Sequence, residues 1–501
     1  MNLLPARKRR SLLTGIAGAA LPLAFEPFNV YSLAFISPAF LLFFWLKSNG
    51  KQAFWLGWIF GIGCFGIGTS WIYISIHQFG NASVFLSVLI TTLFTLFLAL
   101  FPATLGWIFK IGCRTTVNKI PTLLLFPSLW VLGEYARTIL FTGFPWLFLG
   151  YTQLSTPLRG LAPLIGVYGL SWIVAFISGV LVLLATRQTV MTKILCVMMT
   201  AVVVISGYFF SKHHWTQSSG QPIQVSLIQG NIPQTIKWDP NYLAKNVDIY
   251  KQLTFEHWSS RLIIWPEGAF PVVAQDASLF ITSLGVIAAQ HHASIIFGVP
   301  IENKKTKQYY NGLMMVGENQ GEYLKQHLVP FGEYIPLDFI FKYVMHYFSI
   351  PMSDFSAGPT HQSLLKFNTL LIAPFICYEI AYPTAVLTRS ENSNILLTIS
   401  DDSWFGRSIA LAQRLQMAQM RALEMGRYLL LSSNTGITAF ISPAGEILQG
   451  APIDQRAVLT HHIQSMTGKT PLMRWKYYPV WLWIGLCLLV AVIWNWIDAK
   501  R

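Results

Sequence analysis

The chain has 501 residues, 53% of them hydrophobic and only 11% charged, against roughly 25% charged in an ordinary soluble domain. That composition excludes a single water-soluble globule. Lys and Arg outnumber Asp and Glu by 35 to 21, a formal net charge of +14. Whether such a surplus points to nucleic acid or to a membrane depends on where it lies.

Up to about residue 211 the sequence is a series of apolar runs broken by short basic or Gly/Pro punctuation: Leu12–Phe28, Leu33–Leu46, Ala53–Ile76, Val84–Phe109, Thr122–Leu140, Leu161–Ala185 and Ile194–Phe210. About 20 helical residues at 1.5 Å each cover the roughly 30 Å hydrocarbon core of a bilayer, so these read as seven membrane spans. The first two are short or interrupted, with Pro22, Glu26 and Pro27 in or near one and Pro38 in the other, and are expected to bend or form a hairpin. Arg9-Arg10-Ser11-Leu12-Leu13 has the look of a twin-arginine export signal but reads as the basic flank of a first span. Gly61-Ile62-Gly63-Cys64-Phe65-Gly66 satisfies the dinucleotide fingerprint as a string, yet lacks the preceding strand and the later acidic residue. With Gly57 and Gly68 it reads as a small-residue face for close helix packing in lipid.

From about Lys212 to Lys476 short β-branched runs alternate with polar, helix-like stretches, a soluble α/β pattern. Val480–Ile497 is then one more apolar run before Asp498, Lys500 and Arg501. The expected organisation is therefore a membrane domain over 1–211, a soluble α/β domain over 212–476, and an eighth span with its tail over 477–501. The first 211 residues hold thirteen Lys and Arg against only Glu26 and Glu134, a surplus of 11, so most of the net charge is a topology signal and no nucleic-acid partner is expected. Placing Arg7, Lys8, Arg9 and Arg10 in the cytoplasm puts Lys47/Lys51, Lys110/Arg114/Lys119, Arg187/Lys193 and Lys500/Arg501 on the same side and leaves only Arg137 and Arg159 on the outer connections. Both termini are then cytoplasmic and the soluble domain faces the far side, the periplasm of a bacterium.

Of five cysteines, Cys64, Cys113, Cys196 and Cys487 lie within or at the ends of spans, where Cys acts as a small apolar residue. Only Cys377 is in the soluble domain, with no second Cys there for a disulfide or a metal site. It follows the apolar run Leu370–Ile376 and precedes Tyr378, Glu379 and Pro383, where a strand gives way to a turn. Two other strand ends carry a charge: Leu262–Trp265 runs into Pro266-Glu267-Gly268, and Tyr323-Leu324 runs into Lys325. Converging at one edge of a sheet, a carboxylate to take the thiol proton, an ammonium to hold an oxyanion and a thiol to attack an acyl carbon suffice for acyl transfer through a thioester. Adjacent histidines at 213–214, 291–292 and 461–462 lack any metal-ligand context, and no HExxH motif occurs. A structural Cys and solvated or paired carboxylates are the bland alternative for each residue.

Trp265-Pro266-Glu267, Lys325-x-His327-Leu-Val-Pro-Phe-Gly-Glu333 and Ile376-Cys377-Tyr378-Glu379 resemble the Glu, Lys and Cys elements of the nitrilase (carbon–nitrogen hydrolase) superfamily. With Gln229–Gln234 and Lys237-Trp238 upstream, and Ser400–Gly406 and Asn434–Gly436 downstream, the pattern is similar to the membrane branch of that superfamily, the apolipoprotein N-acyltransferases. The resemblance implies eight transmembrane helices with an αββα nitrilase-like sandwich before the last. It implies Glu267 as general base, Lys325 as oxyanion stabiliser and Cys377 as nucleophile, with Glu333, Tyr378 and Glu379 supporting the site and Trp238 meeting the second substrate. Glu333 and Glu379 are expected to position Lys325 and Cys377 rather than react. One departure is Ser400-Asp401-Asp402, where Asn-Asp is the commoner pattern. The implied reaction moves an acyl chain from a phospholipid, typically phosphatidylethanolamine, to the α-amino group of an S-diacylglyceryl cysteine on an apolipoprotein. It needs no metal or organic cofactor, and a monomer is expected.

Two segments suggest contact with lipid. Leu337–Met352, if helical, repeats Asp338, Lys342 and His346 on one face and is apolar elsewhere, as a lid dipping into the bilayer would be; Phe141–Trp146 is expected to help form a lipid access path. The rivals are a membrane-tethered amidase using the same three residues with water as acceptor, and a transporter or scaffold with an inactive soluble domain. Glu134 as the one clear carboxylate within a span argues weakly for the last.

Overall fold

Each apolar run read from the sequence is helical over most of its length in the computed structural model, which describes residues 6–113, 119–335 and 354–498. The expected lid Leu337–Met352, and Arg114, Lys500 and Arg501 of the charge pattern, lie outside the described residues. The chain divides into two units, one made of the residues up to Tyr73, Ser83–His213 and those from Arg474 onward, the other of Ile74–Ala82 and His214–Met473.

In the first unit, five helices among the described residues are long and apolar enough to cross a bilayer: Val84–Gly112, Pro121–Thr142, Pro157–Ala185, Val190–Ser211 and Tyr478–Ile497. Helix Leu33–Leu46 has 14 residues, about 20 Å at 1.5 Å per residue, and Ala6–Ala20 has 15 with Arg7, Lys8, Arg9 and Arg10 at its start. The third expected span, Ala53–Ile76, is broken. Its helix stops at Gly68 and resumes as Ile72–Phe79 after a bend of 59°. The Thr69 N–H (2.9 Å) and Oγ1 (2.7 Å) both donate to the Phe65 carbonyl, and the Ser70 N–H (3.3 Å) and Oγ (2.9 Å) both turn back onto that of Ile67, three residues earlier, where the helix ends.

The glycine string is a packing surface. A Cβ on Gly57 would lie 2.2 Å from the Pro102 carbonyl oxygen, one on Gly61 2.6 Å from Ala99 Cα, and one on Gly63 2.5 Å from the Gly15 carbonyl oxygen. Helix Gly50–Gly68 is thereby held against both Val84–Gly112 and Ala6–Ala20 at backbone contact. Glu134, buried in this unit, accepts from the Leu149 N–H (2.9 Å) and from Trp130 Nε1 (3.0 Å), while Arg137 donates to the Trp146 carbonyl (2.7 Å). Both side chains brace the Phe144–Gln153 connection.

The second unit holds two six-stranded sheets among the described residues. The first contains β1 (Gln217–Gln229), β2 (Leu262–Ile264), β3 (Ser294–Asn303), β4 (Gln308–Gly317), β5 (Gly321–Leu324) and β12 (Ala457–Thr467), in the order β12-β1-β2-β3-β4-β5. The second contains β6 (Leu365–Phe367), β7 (Leu370–Ile376), β8 (Ile395–Ser400), β9 (Leu429–Ser433), β10 (Ala439–Ile441) and β11 (Ile447–Gly450), in the order β11-β10-β9-β8-β7-β6. Each sheet has a parallel centre, β1-β2-β3 and β7-β8-β9, flanked by antiparallel strands. The period of two decides which side chain faces where. Leu227, Ile264, Ile296 and Leu313 meet Ile372, Leu397, Ile399 and Leu430 between the sheets. Their neighbours Ile263, Trp265, Ile295 and Phe297 face outward onto helices Leu243–Phe255 and Ser278–Gln290. Helices Pro383–Ser390 and Ala410–Met425 pack on the second sheet, completing an αββα sandwich whose parallel strands are covered on both faces.

Candidate active site

Glu267, Lys325 and Cys377 follow the ends of β2, β5 and β7. The first two strands belong to one sheet and the third to the other, so the trio straddles the two sheets, and the expectation of a single sheet edge is corrected. A strand end carries one residue only so far, and sandwiching two sheets brings their strand ends together across the core.

The Glu267 turn is fixed by its neighbour β3. The Trp265 N–H donates to the Ile296 carbonyl (2.8 Å) and the Gly298 N–H to the Pro266 carbonyl (3.1 Å). A Cβ on Gly298 would lie 2.6 Å from both Glu267 Cα and the Gly268 nitrogen, so only glycine lets the turn approach. The Glu267 carboxylate is nearly buried. Its Oε1 accepts from Asn311 Nδ2 (2.7 Å) and from Lys325 Nζ (3.4 Å), and its Oε2 accepts from the Asp401 N–H (2.9 Å).

Lys325 is 1% exposed, with Nζ donating to Glu333 Oε1 at 2.8 Å. Burial alone would pull its pKa down, but the carboxylates of Glu267 and Glu333 outweigh that and hold it well above the usual lysine range. The ammonium therefore stays charged. Glu333 is itself oriented by Asn311 Nδ2 (2.5 Å) and the Val329 N–H (2.8 Å). Asn311 on β4 thus bridges the two carboxylates that flank the lysine.

Cys377 opens a 3-10 turn directly after β7, with φ of +52°, a left-handed conformation that a side chain other than glycine adopts only under local constraint. Glu379 supplies that constraint. Its two oxygens accept from Tyr323 Oη (2.8 and 2.9 Å), Oε1 from the N–H groups of Gln326 (2.7 Å) and His327 (3.2 Å), and Oε2 from the Ile376 N–H (2.8 Å). One buried carboxylate ties the loop after Lys325 to the strand end before Cys377. Burial, then the Glu267 charge, push the Cys377 thiol up to about 12, against the opposing pull of Lys325 and Arg414. The resting thiol is protonated.

Tyr378 packs edge-to-face on Tyr382 (5.2 Å between centroids), and His327 stacks on the same ring at 4.4 Å. Burial holds the Tyr378 hydroxyl well above its ordinary pKa. Trp238 is half-buried beside the Glu267 turn, its ring 3.6 Å from where a Gly268 Cβ would sit. The upstream and downstream motifs interlock: the Asn231 N–H donates to the Asn434 carbonyl (2.9 Å), and Asn434 Oδ1 accepts from the Ile232 N–H (3.0 Å) and Tyr250 Oη (3.1 Å). Asp402 accepts from Arg414 (2.5 Å), Ser400 (2.7 Å) and Ser433 (2.9 Å). Ser75 of the Ile74–Ala82 segment donates to the Trp404 carbonyl (2.7 Å), and Phe79 meets the Trp404 ring at 5.8 Å.

Four residues of this network escaped the sequence reading. Asn311 offered a signal as a polar residue entering an apolar stretch of strand, Asn311-Gly312-Leu313-Met314-Met315. Lys237 and Asp401 stood in quoted motifs but were given no role. Arg414 sits in a helix whose other charges gave no reason to single it out.

A buried carboxylate, ammonium and thiol thus stand at strand ends of an αββα frame, and residues 224–471 match the family described as "Carbon-nitrogen hydrolase". Residues 17–180 match the family "Apolipoprotein N-acyltransferase N-terminal domain". The chain is 50% identical over 483 residues to a Coxiella burnetii protein named apolipoprotein N-acyltransferase, covering 96% of this chain and 99% of the relative. Proteins of the same name from Pseudomonas aeruginosa and Methylococcus capsulatus are each 41% identical, over 96% and 95% of this chain and 95% and 94% of theirs. The chain belongs to the apolipoprotein N-acyltransferase family.

Proposed function

We propose that Cys377 is the nucleophile through which this chain, an acyltransferase of the lipoprotein pathway embedded in the bacterial inner membrane, carries an acyl group from lipid to lipoprotein. The observation that carries the residue assignment is the shared hydrogen-bond network of Glu267, Lys325, Glu333 and Asn311 beside a strand-end thiol. Glu267 takes the thiol proton as sulfur attacks the ester carbonyl of a phospholipid, with phosphatidylethanolamine as donor. The Lys325 ammonium faces the oxyanion of the tetrahedral intermediate. Collapse breaks the ester bond, the lysophospholipid alkoxide takes the proton from Glu267, and a thioester remains on Cys377. The free α-amino group of the acceptor's S-diacylglyceryl cysteine then attacks the thioester, Glu267 takes the amine proton, and the departing thiolate recovers it. Glu333 and Glu379 position Lys325 and the Cys377 turn, Tyr378 lines the site, and Trp238 meets the acceptor.

In the same reading the membrane domain comprises 1–211 and 477–501 with eight spans, the three short or bent N-terminal helices included. The catalytic domain 212–476 faces the periplasm, both termini are cytoplasmic, Phe141–Trp146 borders the lipid route and the enzyme works as a monomer. The test is to incubate the purified chain with phospholipid and weigh it: one acyl chain is expected on Cys377, and none in Cys377→Ala. A diacylglyceryl peptide with a free amine should then remove that chain and one with a blocked amine should not. Release as free fatty acid in both cases would make the enzyme a hydrolase instead.

A further inference from the structure

Lys237 is the residue before Trp238, yet its side chain does not extend into water. It is 2% exposed and paired with Asp401, itself 6% exposed in its side chain. Lys237 Nζ donates to Asp401 Oδ2 and, at 2.9 Å, to the backbone carbonyl of Glu267. Asp401 closes the circuit from the other side, because its own N–H donates to Glu267 Oε2 at 2.9 Å. Its remaining oxygen accepts from Ser403 Oγ (2.6 Å), the Ser403 N–H (3.3 Å) and Asn434 Nδ2 (3.4 Å), so its own orientation is fixed. The ammonium also lies 5.9 Å from the Trp238 ring centroid and 2.9 Å from where a Cβ on Gly268 would be.

We propose that the Lys237–Asp401 pair is a positioning unit for the base, gripping Glu267 by its backbone carbonyl and by one carboxylate oxygen so that the carboxylate keeps one orientation through both half-reactions. This rests on the reading of Glu267 as the base. Stability gives little reason to bury such a pair, since desolvation offsets most of the Coulombic gain, whereas its hydrogen bonds converge on the one residue that must accept a proton twice. The Asp401 carboxylate supplies the charge that matches the buried ammonium.

The experiment uses the full chain and single-turnover rate constants for each half-reaction: acyl loading of Cys377 from phosphatidylethanolamine vesicles, then transfer to a diacylglyceryl peptide. Lys237→Met is expected to lower both by about 10²-fold, the loss typical of a reacting group held about 1 Å from its place. A merely structural role would lower the burst amplitude, which counts folded enzyme, and leave the rate constants alone. Loss confined to the second step would mean that Lys237 acts through Trp238, and either result overturns the proposal. The double change Lys237→Met with Asp401→Asn removes the carboxylate that the single change leaves buried without its cation, so it guards against simple misfolding. Its two rate constants should remain about 10²-fold down, and recovery to within threefold of the parent would overturn the proposal. Glu267→Gln run in parallel separates the two failures, since rapid acyl loading in that variant would refute Glu267 as the base itself.

Discussion

Replacing Glu267 by Gln should push two properties of Cys377 in opposite directions. The thiol is raised from an ordinary 9.0 to about 12, first by burial and next by the Glu267 charge. At pH 8 that leaves about one thiolate in ten thousand, against about one in ten for the ordinary thiol, each pKa unit being a factor of ten. A single carboxylate close by accounts for about one to three units, so removing its charge should raise the thiolate fraction at least about tenfold, with Lys325 and Arg414 still present to favour it. Alkylation by a small neutral reagent follows thiolate. Glu267→Gln should therefore be alkylated at Cys377 about tenfold faster than the parent at pH 8, as read from the mass of the Cys377 peptide against time. On the proposed assignment the same variant loses its proton acceptor, and acyl loading from phospholipid should fall by about 10²–10⁴-fold. A thiol that becomes more ionised yet less able to attack its substrate is the signature of base-assisted attack. Alkylation and acyl loading falling together would refute the electrostatic reasoning, and acyl loading preserved would refute the assignment of the base.

Lys325→Met should lower acyl loading by about 10²–10³-fold and destabilise the catalytic domain by about 3–5 kcal/mol, because Glu267 and Glu333 would be left buried without their cation; a thermal midpoint unchanged from the parent would contradict the second claim. Alkaline pH should destabilise the fold through both Cys377 and Lys325. The unfolded thiol loses its proton near 9.0 while the folded one keeps it to about 12, and the unfolded lysine loses its proton near 10.5 while the folded one holds on further. In each case the folded state binds more protons, so stability is full below these ordinary values and declines as pH rises past 9, at up to about 1.4 kcal/mol per pH unit for each group. Cys377→Ala should flatten the first stretch of that decline, and denaturation midpoints at about pH 8.5 and 10.5 would reveal an equal slope if it does not. Gly298→Ala places a methyl 2.6 Å from the Glu267 backbone. It should cost about 1–3 kcal/mol and about 10²-fold in acyl loading, measured on the folded fraction.

What could be read in the sequence was whatever depends on neighbours along the chain. Leu370–Ile376 is an unbroken apolar run and becomes β7 with the same bounds, and the residues at the three strand ends stand out because a charge or a thiol directly follows such a run. Which sheet each strand joins is settled by pairing between distant segments, and nothing local separates β7 from β2 or β5. The break at Thr69 was hidden for a different reason. Hydropathy continues through Trp71-Ile72-Tyr73-Ile74, while at the break Ser70 turns back onto the Ile67 carbonyl through both its N–H and its hydroxyl. Lys237 was illegible because a lone lysine beside a tryptophan is normally solvated. Its burial depends on Asp401, 164 positions away.

The geometry also explains why a thiol with so high a pKa suits the work. A preformed thiolate is an open target for oxidants and stray electrophiles, and Cys377 has no cysteine partner among the described residues of its unit. Holding the thiol neutral removes that exposure and makes reactivity conditional. In the proposed mechanism sulfur becomes nucleophilic only when a carbonyl stands over it and its proton can pass to Glu267, whose carboxylate is kept in place by Asn311, Lys325 and the Asp401 N–H. The Lys325 ammonium stays charged, so as the proposed oxyanion stabiliser it needs no proton rearrangement at the moment of attack. In that mechanism the division of charge between a neutral nucleophile and a charged partner rests on Glu333 and Asn311, which hold Lys325 and Glu267 by hydrogen bonds. Changes at those two positions are thus expected to act on rate constants before they act on binding of lipid.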